Sequence, residues 1–243
     1  MNEGQTATLL AVHIPKAAGT TLRVILERQY PEAERFVIRH DIPAERERLA
    51  GMADADKRGL RAVFGHMPWG WHALLASGQR YRYLTMLREP RERVLSLYAT
   101  CRMKTHYLHE AVKDLTLYEF VTSGVTRTAD EGMVRQLCGA DAFLRVPWAD
   151  MALPFGGVTE AHLEAARANL ARCAFVGVAE RFDALMAQCR RRLGWRIPAV
   201  PDQNVTTWAR PQWDDLDGRT RAAVRDCTRL DAELYAYAVE VGL

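Results

Sequence analysis

His13-Ile14-Pro15-Lys16-Ala17-Ala18-Gly19-Thr20-Thr21 joins an apolar run to a helical pattern, and this junction decides how the chain is read. The run over 8–15 is mostly apolar and ends in a turn-forming proline, as a buried first strand would. Beyond it Leu22, Ile25 and Leu26 recur at helical spacing. Gly19, Thr20 and Thr21 therefore fall at a helix N-terminus, whose unpaired N–H groups and positive dipole end attract a phosphate or sulfate. Lys16 adds a mobile full charge, and Gly19 lets the backbone approach such a ligand closely. On its own the segment also fits a plain strand-to-helix turn with a solvated lysine.

Further short apolar runs at 36–39, 62–65, 83–87 and 175–178 have helical patterns between several of them. That alternation predicts an α/β fold: a single domain spanning 1–243, with a central parallel sheet flanked by helices. A helix is expected over about 91–103, opened by Pro90 and striped by Val94, Leu95, Tyr98 and Cys101. Residues 104–154 are less regular and read as a helical excursion over the sheet, a usual place for an acceptor pocket. Thr159 is placed to cap a helix carrying Leu163, Ala166 and Leu170, and one continuous last helix is expected over about 215–241.

With 33 Lys and Arg against 30 Asp and Glu, the net charge of +3 does not suggest a general nucleic-acid or membrane-surface binder. The five cysteines are scattered without a CxxC pair, so neither a zinc site nor a disulfide framework is indicated and a reducing compartment fits. The first residues lack a basic leader, and the apolar run after them is too short for a membrane span. A cytoplasmic location is the expectation. Oligomeric state is not legible.

A second signal is Leu87-Arg88-Glu89-Pro90-Arg91-Glu92-Arg93-Val94-Leu95-Ser96-Leu97-Tyr98, an RxPxxRxxSxY pattern running from a strand end into a helix. Arg88 lies at a strand's carboxyl end, where open α/β sheets bind ligands, and Arg93 shares a helix face with Ser96. Guanidinium and hydroxyl groups so placed suit one phosphate. A solvated Arg-Glu helix is the plainer alternative. The third signal, Phe64-Gly65-His66-Met67-Pro68-Trp69-Gly70, sets an imidazole at another strand end, where its ordinary pKa suits a general base. His13, His40 and His72 are further candidates to line the cleft, with His72 the rival base. Trp69, beside His66 in the motif, is the tryptophan expected against an acceptor.

In the pattern HxPKxxGTT, a strand ending in GHxPxG, then LRxPxxRxxSxY, the chain resembles sulfotransferases that use 3′-phosphoadenosine 5′-phosphosulfate (PAPS), most closely the heparan sulfate 2-O-sulfotransferase-like branch. The resemblance implies a P-loop-like fold and transfer of a sulfuryl group from PAPS to a carbohydrate or small-molecule hydroxyl, without a metal. It implies that Lys16, Ala17, Ala18, Gly19, Thr20 and Thr21 bind the 5′-phosphosulfate, with Lys16 also catalytic, and that Arg88 with Ser96 binds the 3′-phosphate, Arg93 assisting. Thr206, Thr207 and Arg210 stand where the family closes a polar loop over the nucleotide, and His66 stands at the family's catalytic histidine. The acceptor is not named by any motif. An ATP-dependent P-loop phosphotransferase is the runner-up, but a Walker A loop sets its Lys after the second Gly, whereas Lys16 precedes Gly19. A non-catalytic nucleotide-binding module is the third reading.

Overall fold

Alternation along the first apolar run sets the layers. Leu10 and Val12 enter one core with Leu163, Leu170, Leu230 and Leu234, whereas Leu9 and Ala11 enter another with Leu22, Ile25, Leu185 and Met186. A strand buried on both faces needs helices on both faces. The computed structural model, which describes residues 7–39, 42–139, 153–197 and 210–241, has that arrangement as one α/β domain.

Among the described residues five strands form, β1 (Thr8–Val12), β2 (Arg35–Ile38), β3 (Ala62–Gly65), β4 (Tyr81–Leu87) and β5 (Phe175–Val178), close to the expected runs. All pairings are parallel and the spatial order is β2-β3-β1-β4-β5. From β1 the chain turns through the Gly19–Gln29 helix toward β2, and from β4 it leaves toward β5 on the opposite side. β1 and β4 are neighbours, so a topological switch point lies between them, and the crevice beyond their carboxyl ends is where open α/β sheets take ligands. The turn after β1 carries Lys16 and the turn after β4 carries Arg88.

The helix after β4 spans Pro90–Cys101, with Pro90 in the first turn and the Glu89 carboxylate accepting from the Glu92 N–H. The excursion is helical where described, with helices at His109–Val112, Leu117–Thr122 and Gly132–Cys138. A third core joins Val94, Leu97 and Cys101 to Val112, Phe120, Val121 and Val224.

The expected single last helix is instead two, Gly218–Asp226 and Arg229–Val241. The break is held from elsewhere: Cys227 O accepts from the Glu131 N–H at 2.9 Å, and the Glu131 carboxylate accepts from the N–H groups of Leu230 and Asp231 at 2.9 and 2.6 Å. The Asp231 carboxylate in turn accepts from the N–H groups of Met133 and Val134, so each helix start is capped by the other's acid. No helix among the described residues is long and apolar enough to cross a membrane.

Candidate functional site

The turn after β1 is tight because it is anchored at both ends. Ile14 and Ala17 are buried, and the Ala17 N–H donates to Ile14 O at 3.2 Å. Between and beyond them Lys16 and Ala18 take positive φ values of 68° and 55°. Side-chain-bearing residues adopt this region at a cost, and such strain gathers at ligand clamps. The Gly19–Gln29 helix then starts with no side-chain cap and no acidic residue in its first turn, leaving its N-terminal dipole uncompensated. Lys16, Gly19 and Thr20 line a cavity of about 480 Å³. Ala17 and Thr21 are buried and, like Ala18, are not among its lining residues.

Gly19 has a second reason to be glycine. A Cβ there would stand 1.7 Å from the His13 ring. That ring stacks on His66, with centroids 4.1 Å apart and planes at 26°. The His66 Nδ1 lies 2.9 Å from His13 O, and a carbonyl only accepts, so Nδ1 carries the proton and the neutral ring keeps its lone pair on Nε2. His13 is held neutral: burial pushes its pKa well below the usual histidine range, with His66, Arg23 and Lys16 adding to the effect. Sequence reading admitted His13 to the cleft without its stacking role, which depends on a ring over a glycine six residues on.

Three cations converge at the switch point. Arg88 Nη1 donates to Lys16 O at 3.1 Å, tying the turn after β4 to the turn after β1. Burial lowers the pKa of Lys16, and the facing Arg88 lowers it further. Arg210 is shifted the same way by burial and then by Arg88. Glu92 lies between the arginines, 3.7 Å from Arg88 Nη2 and paired with Arg210. Ser96, one turn beyond Glu92, is 5% exposed and does not line the cavity. Glu180, at the end of β5, accepts from the Glu89 N–H and from the Tyr235 hydroxyl, which braces the turn that presents Arg88.

Arg93 is not part of this cluster. It is fully buried, donating to Thr128 O at 2.9 Å and to the Asp231 carboxylate at 3.1 Å. Its helix packs against the Arg229–Val241 helix, and Gly132 leaves room for its guanidinium. Burial beside Asp231 pushes the Glu131 carboxyl up to about 8.

The cavity separates the candidate histidines. His13, His66 and His106 line it; His72 does not. The His72 Nδ1 is 2.9 Å from the Tyr83 hydroxyl and its ring stacks on Tyr81, a setting outside the cavity that His66 lines. Trp69 is likewise turned away from the cavity, 4% exposed and stacked on Tyr83 at 3.8 Å. His106 lines the cavity, and its Nδ1 accepts the Leu108 N–H at 3.2 Å, which leaves the proton of its neutral form on Nε2. His40, Thr206 and Thr207 lie outside the described residues.

Compared with protein-family models and with curated proteins, the chain matches none.

Proposed function

We propose that this protein is a sulfotransferase of P-loop-like fold that moves a sulfuryl group from PAPS to the hydroxyl of a carbohydrate or small-molecule acceptor. The observation that carries the reading is the contact of Arg88 with Lys16 at the switch point. It brings two cation-bearing turns into contact, which supports a ligand with phosphates at both ends of an adenosine. The residues fit such a ligand: Arg88 lowers the pKa of both Lys16 and Arg210, and the buried Arg210 Nε has no hydrogen-bond partner among the described residues.

PAPS supplies the sulfuryl group, which passes to the acceptor oxygen as the sulfur–oxygen bond to the 5′-phosphate breaks and 3′,5′-bisphosphate leaves. Lys16 and the first N–H groups of the Gly19–Gln29 helix hold the 5′ end and stabilise negative charge growing on the leaving oxygen. Preorganised donors of this kind contribute on the order of 3 kcal/mol each. Arg88, with Arg210, holds the 3′-phosphate; Ser96, buried and outside the cavity lining, has no part in that contact. His66 takes the acceptor proton on Nε2, the nitrogen that the bond from Nδ1 to His13 O leaves basic. His13 keeps that ring oriented and, being neutral, adds no charge that would oppose its protonation. Five unpaired cysteines suit a reducing cytoplasm in this reading.

Thermal unfolding with added nucleotide, alongside transfer of labelled sulfate from PAPS, tests the proposal. At a hundredfold excess over Kd, 3′,5′-bisphosphate should stabilise by about 2.7 kcal/mol, with ATP and Mg²⁺ giving less. Preference for ATP would favour a phosphotransferase, and no response to either would favour a binding module of another kind.

A further inference from the structure

The cavity beside His66 has its own chemistry. Its volume of about 480 Å³ matches small-molecule sites rather than a long polymer groove. Its only fully charged described lining residue is Lys16, which the proposed function engages at the sulfuryl group. No carboxylate is found among the described lining residues, so an ammonium would enter without a counter-charge. Beyond Lys16 there is also no row of arginines or lysines to pair with a polyanionic saccharide. Ile42, Leu97, Leu108 and the Tyr107 ring supply apolar wall instead.

Among the polar groups of the lining, which include Thr100, Thr126, Thr128 and Gln136, the two imidazoles His66 and His106 play different roles. His66 offers a lone pair on Nε2, whereas His106, its Nδ1 occupied by the Leu108 N–H, offers an N–H on Nε2. A hydroxyl donates one hydrogen bond and accepts others. An ammonium only donates, and a carboxylate only accepts. Resting on the sulfotransferase reading, we infer that the acceptor is an uncharged alcohol or phenol of small-molecule size with an apolar body, neither an ammonium nor a polyanionic saccharide chain.

Three isosteric probes test this on the 243-residue chain saturated with adenosine 3′,5′-bisphosphate: 2-naphthalenemethanol, 2-naphthalenemethylammonium and 2-naphthoate, with a desulfated glycosaminoglycan hexasaccharide as the polymer probe. Affinities are read by titration calorimetry and saturation-transfer NMR. The alcohol should bind at least about tenfold more tightly than either charged isostere, since burying an unpaired charge is costly, and more tightly than the hexasaccharide. Thr105→Asp, which adds a carboxylate to the lining at an exposed position, should swing the ratio toward the ammonium. Equal or tighter binding of a charged isostere or of the hexasaccharide overturns the inference, as does failure of every probe to bind. Should 3′,5′-bisphosphate itself not bind, the sulfotransferase reading fails, while the same three probes on the nucleotide-free protein still report which class the cavity takes.

Discussion

Arg88 reaches across from the end of β4 to donate a hydrogen bond to the backbone carbonyl of Lys16 at the end of β1. The bond spans the one place in the sheet where neighbouring strands send their chains in opposite directions, so a ligand held by both residues is held by the topology itself. The consequences for catalysis, packing and binding are separable.

His66→Gln removes the proton acceptor and leaves the cation cluster in place. Sulfate transfer should fall by about 10² to 10⁴-fold, while 3′,5′-bisphosphate affinity measured by calorimetry changes little. Near-normal turnover would place the base on another group of the cavity.

Gly19→Ala drives a methyl group into the His13 ring. The ring must move or the helix start must shift, at a cost of roughly 1 to 3 kcal/mol in thermal or denaturant unfolding, and His66 loses its stacking partner. Turnover should fall more than nucleotide affinity does. Unchanged stability would mean that His13 has another accessible rotamer.

Arg93→Met leaves the Asp231 carboxylate buried without its guanidinium. Breaking a buried pair this way costs about 3 to 5 kcal/mol, to be read by urea unfolding, whereas molecules that remain folded should bind 3′,5′-bisphosphate as before. A selective loss of nucleotide binding would return Arg93 to the cleft.

Glu92→Gln withdraws the carboxylate that Arg88 and Arg210 share. If that carboxylate competes with a phosphate for the same guanidinium groups, 3′,5′-bisphosphate should bind several-fold more tightly and with a steeper salt dependence. Weaker binding would show that Glu92 positions the arginines instead.

What could be read from the chain alone follows from range. The strands were legible because a central parallel strand is apolar along its whole length, and the phosphate-type turn was legible because Pro15, Lys16 and Gly19 lie within five residues. Helix spacing put Arg93 and Ser96 on one face, but spacing does not say what packs on that face, and Asp231 lies 138 residues from Arg93. The break between the last two helices was hidden for the same reason, since Glu131 caps it from about a hundred residues away. Trp69 and His72 sit in a cleft-like motif, yet Tyr81 and Tyr83, on a strand paired beside β1, draw both rings away from the cavity. The tautomers of His66 and His106 needed the carbonyl and N–H that fix them.

The central claim is that Lys16 and Arg88 grip opposite ends of one nucleotide, and calorimetric comparison of 3′,5′-bisphosphate with 5′-AMP tests it directly. The account predicts that the wild type favours the bisphosphate at least about tenfold, as an added charge-assisted contact would give, that Arg88→Ala abolishes this preference, and that Lys16→Ala weakens both ligands alike. A wild type indifferent to the 3′-phosphate, or an Arg88→Ala variant that keeps the preference, would contradict it.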